Sequence, residues 1–316
     1  MSRADNYEHL KRLIQAFAES YQGAIYHYTS AEGISGIIGK HEIWMSNTAF
    51  LNDPTELTEL GKATDLLEDK DFKYDAVREE WSKTFDRDRF NKDRQFDYYM
   101  ASFSRKKDSL EQWRAYGNFC IGFDAKKLKL GLRRHIFLYK CLYTQNDIRK
   151  WILEKQTIPE WTSLPDEDRT KAAYNLLYVA SMKYKNRHFQ SEEEIRLIAS
   201  SQRNWGYANS PGMYEDDLPI HFRPHRFYGF IPYVKFFIGL KSNNHLQGNK
   251  ETEMQMKERK LKEEATAQRE QLPITEVIVG PMAYQEEAIE ACKILLSKRG
   301  YKGVSVKKSD VPYRGT

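Results

Sequence analysis

The chain has 316 residues, 40% hydrophobic and 13% aromatic, enough apolar material for one large domain or two modest ones. No run of about 18 apolar residues occurs, and MSRADNYEHLKRLIQAF lacks the apolar core and cleavage site of an export signal, so neither a membrane span nor secretion is predicted. Fifty basic and 45 acidic side chains leave a net charge of +5, which permits a polyanionic partner without requiring one. Cys120, Cys141 and Cys292 are far apart, odd in number and form no C-x-x-C pair, which argues against a disulfide framework or a zinc site and predicts a cytoplasmic location.

In chain order, Tyr7, Leu10, Leu13, Ile14 and Phe17 recur at helical spacing and predict an opening helix. A strand is expected at Ala24–Tyr28, then a helix capped by Thr29 with Glu32 and carrying Ile34, Ile37 and Ile38. Gly33, Gly36 and Gly39 lie inside that helix and are read as close-packing positions, since G-x-x-G-x-x-G is not the dinucleotide fingerprint. A second strand is predicted at Glu42–Ser46, and Asn52-Asp53-Pro54 is turn chemistry. A charged helical insertion is expected over about 55–97.

Strands follow at Tyr98–Ser104 and Phe119–Asp124, with a short helix between them at Ser109–Tyr116. A second helical insertion spans about 145–186, interrupted at Pro159 and Pro165, and Glu193–Ala199 alternates as a strand. Trp205–Leu240 is rich in aromatics, Pro and Gly. Lys250–Glu270 has six cations and six anions and reads as an exposed helix or linker within about 245–272. The chain closes strand–helix–strand: Ile274–Gly280, Gln285–Arg299, Lys302–Val306. The prediction is a single α+β domain over 1–316 with helical insertions.

Three separated pieces have the residue types of a site: Tyr26-His27-Tyr28-Thr29-Ser30, Ser102-Phe103-Ser104 and Glu192-Glu193-Glu194. Singly, each has an ordinary structural reading; their order is what matters. Together with Trp44-Met45-Ser46, Asn52-Asp53-Pro54, Trp113-x-x-Tyr116, Cys120–Asp124, Phe189-x-x-Glu192-x-Glu194-x-Arg196 and Val279-Gly280, they resemble a bacterial family catalogued as domain of unknown function 2971. His27, Ser102 with Ser104, and Glu192 with Glu194 also look like the His, Ser-x-Ser and Glu-x-Glu positions of the ADP-ribosyltransferase superfamily. The His resembles one branch, the Ser-x-Ser and Glu-x-Glu the other, so the target stays open.

That resemblance implies an ADP-ribosyltransferase-like mixed sheet and NAD as co-substrate, with no metal. Breaking the nicotinamide–ribose bond builds positive charge on the sugar, which Glu194 would stabilise, while Glu192 positions or deprotonates the acceptor. His27, Tyr28, Thr29, Ser102 and Ser104 would hold the dinucleotide, with Tyr28, Trp113 or Tyr116 stacking on nicotinamide. In an extended strand Glu192, Glu194 and Arg196 share one face.

Arg223 and Arg226, in the basic–aromatic run His221–Tyr228, are expected to bind an RNA or DNA acceptor. With Lys126, Lys127, Lys129, Arg133, Arg134 and Lys140 they are expected to form one surface leading to Glu194. His221 and His225 are separated by Pro224, which argues against a helical metal pair. Such an enzyme, as a toxin or phage-defence effector, would need an inhibitory antitoxin-like partner. A protein acceptor, NAD glycohydrolysis, RNA phosphotransfer and non-catalytic nucleotide binding are the alternatives.

Overall fold

The computed structural model describes residues 21–51, 96–130, 136–202, 218–238 and 269–312, with Leu13, Ala16, Phe17, Asp53 and Leu60 besides. The 55–97 insertion, apart from Leu60, Phe96 and Asp97, and nearly all of the 245–272 segment lie outside the described residues. So do Arg133 and Arg134, and most of the expected first helix.

The elements in chain order are β1 (Ala24–Thr29), α1 (Ala31–Lys40), β2 (Ile43–Asn47), β3 (Phe96–Ser104), α2 (Leu110–Tyr116), β4 (Phe119–Asp124), α3 (Ala125–Leu130), β5 (Ile136–Lys140), α4 (Gln145–Lys155), α5 (Pro159–Thr162), α6 (Asp166–Lys183), β6 (Glu194–Gln202), β7 (His221–His225), β8 (Gly229–Phe236), β9 (Ile274–Val279), α7 (Gln285–Lys298) and β10 (Ser305–Lys308). This is a mixed α+β arrangement, as expected. No helix among the described residues is long and apolar enough to cross a membrane. The cap of α1 falls one residue later than predicted. Thr29 stays in β1, and Ser30 Oγ accepts from Gly33 N–H while donating to Glu32. Close packing accounts for Gly33, where a Cβ would strike Thr29 Oγ1, but not for Gly36, which faces open space.

The strands form one sheet in the order β10-β9-β4-β1-β3-β2-β8-β7, with β6 paired to β3 and β5 to β6. β3 is the branch point. One edge pairs with β6 along its whole length, Phe96↔Gln202 to Ser104↔Glu194. The other edge is divided between β1, which meets it only at Tyr26↔Ser104, and β2, at Ser46↔Met100 and Asn47↔Tyr99. β9 and β10 are parallel; the other pairings are antiparallel.

Strand alternation assigns the two faces of the sheet. Tyr99, Ala101 and Phe103 of β3 and Ile195, Leu197 and Ala199 of β6 point to one face, where α1 and α7 cover them in the main core. On the other face Tyr98, Met100 and Ile198 are covered by α4 and α6. Further along that second face, Tyr26, Tyr28, Cys120 and Ile278 pack against Trp113 of α2. Gly280 permits this contact, because a Cβ there would lie 2.7 Å from the Trp113 ring. Between these two apolar clusters, on the same face, lie Ser102, Ser104, Glu194 and Arg196.

Candidate active site

The register brings the three sequence pieces together. Tyr26 of β1 is opposite Ser104 of β3, which is opposite Glu194 of β6; two residues along the ladder, Ser102 is opposite Arg196. Directly opposed residues point to one face, so Tyr26, Ser102, Ser104, Glu194 and Arg196 share it.

Glu192 is not on the strand. It ends a 3₁₀ turn, Arg187–Glu192, and Glu193 has a left-handed backbone at φ 45°. The expected strand-face geometry is therefore replaced by a tight turn, which brings the two carboxylates together by another route. Ser104 Oγ donates to the Glu192 carbonyl at 2.6 Å, and Arg105 N–H donates to that of Glu193 at 3.0 Å. The end of β3 thus holds the turn in place.

Both carboxylates converge on Lys185, whose Nζ donates to Glu192 Oε2 at 2.7 Å and to Glu194 Oε2 at 2.8 Å. Arg196 Nε and the Cys141 thiol donate to the same Glu194 oxygen at 3.2 and 3.4 Å. Tyr143 OH accepts from Glu194 N–H at 2.7 Å, and Tyr116 OH donates to Glu192 Oε1 at 2.9 Å. Two carboxylates and two cations make the cluster neutral, which is what permits its burial. Glu194 is 2% exposed. Burial alone would raise its pKa, but the Arg196 and Lys185 charges, with hydrogen bonding from Lys185 and Ser102, outweigh that and hold it well below the carboxylate range. Oε1 of Glu194 is enclosed and makes no hydrogen bond of good geometry. Burial, reinforced by the Glu192 charge, raises the Tyr116 pKa, so its phenol stays a donor.

The other expected site residues divide. Ser102 is exposed in mid-strand, where β1 has parted from β3, so the sheet is open to solvent beside the cluster. Tyr116 is 38% exposed while its hydroxyl stays on Glu192. Tyr28 and Trp113 are buried edge to face at 4.7 Å and have no free face for stacking. Tyr28 OH instead accepts from Ser109 N–H and donates to the Lys106 carbonyl.

His27 alternates to the opposite face, beside Phe103 at 5.5 Å between ring centroids. Its Nδ1 lies 2.9 Å from the Ser102 carbonyl. A carbonyl only accepts, so Nδ1 carries the proton. Burial lowers the His27 pKa, partly opposed by that hydrogen bond. His27 thus bridges the gap between β1 and β3 from behind the site, where a side chain replaces the missing ladder.

Arg223 and Arg226 are not brought to Glu194. Arg223 donates to Ser46 Oγ at 2.9 Å and is half-buried. Arg226 is in the β7–β8 turn, beyond the end of β2 at Asn47 and so toward the start of β3, whereas Glu194 is level with its end. Lys126 and Lys127 follow β4, with β1, β3 and β2 between them and β8. The single basic surface expected from the sequence does not form, because antiparallel pairing sends the two segments to opposite strand ends. Lys185, Cys141 and Tyr143 were not foreseen. No local motif links Lys185 to the glutamates; the signal available was only a Lys between a helix end and the Glu-x-Glu.

The fold and site define a mixed α+β protein in which a split sheet holds a buried two-carboxylate, two-cation cluster beside an opening. The family model described as "Protein of unknown function (DUF2971)" matches residues 112–197, from α2 to β6. That stretch contains Trp113, Tyr116, Cys141, Tyr143, Lys185, Glu192, Glu194 and Arg196, hence most of the cluster. No curated protein and no solved structure matches the chain.

Proposed function

We propose that the protein transfers the ADP-ribosyl group of NAD to a macromolecule. The observation that carries this reading is the row Tyr26–Ser104–Glu194 across three adjacent strands, with exposed Ser102 at its edge. In the reaction the bond from nicotinamide to the ribose C1′ breaks, nicotinamide leaves with the bonding pair, and an acceptor oxygen or nitrogen bonds to C1′. The ionised Glu194 carboxylate stabilises the cationic sugar. Glu192, nearer solvent, takes the acceptor proton. Ser102 and the Tyr116 ring line the approach. His27 acts from behind the sheet, setting the position of the Ser102 carbonyl.

Glu194 becomes available when Lys185 leaves it, and a dinucleotide pyrophosphate is an anion able to draw that ammonium away. RNA or DNA is our leading acceptor; water as acceptor would make the enzyme an NAD glycohydrolase. An uncontrolled activity of this kind would damage its own cell, so an inhibitory partner belongs to the proposal.

The test is incubation of parent and Glu194→Gln with adenylate-labelled NAD and cell lysate, followed by separate nuclease and protease digestion. The expected result is label incorporated by the parent and a loss of about a hundredfold or more in the variant. A folded Glu194→Gln that consumes NAD at the parental rate would overturn the assignment. Nicotinamide release without incorporation would indicate the glycohydrolase.

A further inference from the structure

The β7–β8 hairpin is the most exposed apolar feature of the described residues. Phe222 is 66%, Phe227 78%, Tyr228 53% and Phe230 64% exposed. Four large rings open to water are more than a scatter of surface apolar groups and mark an interaction site.

Beyond β2 the hairpin leaves the ladder for a reason readable in its prolines, while the Tyr228 ring keeps one edge-on contact with Phe50 at 5.4 Å. Pro232 is opposite Phe222, and Pro224 is opposite Phe230. Neither proline can donate within the hairpin, so these are the non-hydrogen-bonded pairs. The missing N–H of Pro232 then faces β2, and the β2–β8 ladder stops at Ser46↔Tyr233, the position before it. The missing N–H of Pro224 faces outward and blocks addition of another strand to the β7 edge. What remains is a two-stranded arm that overhangs the sheet but is guarded against edge pairing.

Its chemistry narrows the partner. The 33 residues from Leu218 to Lys250 contain no Asp or Glu, in a chain with 45 acids among 316 residues. On the arm, Phe222 and Phe230 share one face, by the register with Pro232 and Pro224. At the turn the His225 and Tyr228 rings stack at 5.2 Å, and the Arg226 guanidinium lies 5.4 Å from the Phe227 ring centroid. Rings along the hairpin and at its turn, with exposed Arg226 and no acid among the described residues of the arm itself, form a stacking path with charge complementary to a polyanion.

We propose that this arm binds single-stranded nucleic acid through base stacking on Phe222, Phe230 and the ring cluster at the turn. Binding there needs no NAD and stands independently of the transferase reading. The arm lies at the other end of the strands from Glu194.

The experiment is fluorescence anisotropy of the full chain with end-labelled 20-nucleotide oligo-dT and oligo-U, without NAD, at 50 and 200 mM salt. A duplex and vesicles of phosphatidylserine with phosphatidylcholine are run alongside. Single strands are expected to bind more tightly than duplex. Phe222→Ala with Phe230→Ala should weaken them by roughly tenfold or more, given stacking of about five- to a hundredfold per base. Arg226→Ala should reduce the salt slope by about 0.7, whereas Lys150→Ala on α4 should leave the ring-dependent affinity unchanged. The rings are solvent-exposed, so their removal should leave the melting temperature within about 2 °C of the parent. Unchanged oligonucleotide binding in the double variant would overturn the proposal. So would binding of the vesicles alone, or a ring-dependent self-association with no affinity for either oligonucleotide.

Discussion

Replacing Lys185 by Met tests whether charge, not packing, holds the carboxylate cluster. Met fills much of the same volume and removes the ammonium that binds Glu192 and Glu194. The Lys185 and Glu194 side chains are 6% and 3% exposed, so water cannot easily replace the lost partner. Removing one member of a buried pair costs about 3–5 kcal/mol. The lower end applies here, because Arg196 stays on Glu194 and Glu192 can rehydrate. About 3 kcal/mol corresponds to a fall in Tm of roughly 4–5 °C for a chain of this size. The pH dependence separates the causes. In the parent the depressed Glu194 pKa contributes stability above the unfolded value, lost as pH falls through the folded one. In Lys185→Met the carboxylates protonate more readily, so the gap between variant and parent should narrow from pH 7 to pH 4. Thermal melts followed by circular dichroism at both pH values measure this, with Lys185→Arg as a partial rescue. A variant as stable as the parent at pH 7, or a deficit equal at both pH values, would refute the electrostatic account.

His27→Asn should flatten the dependence of stability on pH between 5 and 7. The parental His27 pKa is lowered, so its stabilisation is complete above the unfolded value near 6.5 and declines as pH falls below it; urea unfolding at pH 5 and 7 checks the slope. Tyr116→Phe removes one hydrogen bond to Glu192 and should cost about 1 kcal/mol. If Tyr116 lines the NAD approach, KM for NAD should rise in that variant more than kcat falls; unchanged kinetics would remove it from the site. Trp113→Ala, in the small cluster with Tyr28, Cys120 and Ile278, should cost about 3–5 kcal/mol by cavity formation, measured by urea unfolding.

The strands of the central sheet were legible because they alternate or run apolar between turn residues. Phe119–Asp124 matched its predicted bounds, and β3 began only two residues early. β5 was missed because Ile136–Lys140 adjoins a run of Lys and Arg, and charge there masked a short apolar strand. The β7–β8 hairpin was missed because its two prolines argue against a strand. They are tolerated where they fall, one on an outer edge and one where the β2 ladder ends. The site was legible as a set of residues but not as a geometry. Sequence placed Glu192 and Glu194 on one strand face; the left-handed Glu193 defeats that periodicity, and the pairing is restored by Lys185 from the end of α6. The orientation of His27 depends on whether β1 keeps pairing with β3, a tertiary fact that no local pattern contains.

The position of the cluster follows from how the sheet face is divided. A strand in mid-sheet normally covers both faces with apolar contacts, and β3 does so at Tyr98, Tyr99, Met100, Ala101 and Phe103. Its end toward Ser104 lies outside the apolar cluster under α4 and α6, and the apolar cluster under α2 covers β1, β4 and β9. A Ser or Glu there meets other polar side chains, and an apolar residue would face either water or the Lys185 ammonium. The gap between the two apolar clusters thus makes a polar strip inexpensive at this point of the fold. Its internal neutrality keeps the strip folded, and the parting of β1 from β3 leaves one side open. A ligand entering beside Ser102 meets paired charges, so only one that offers Lys185 or Arg196 a competing anion can separate them. That requirement favours a phosphate-bearing substrate over a neutral one, and it makes inhibition by inorganic pyrophosphate, competitive with NAD, the kinetic signature expected of the proposed reaction; pyrophosphate without effect on KM for NAD would remove Lys185 from the binding step.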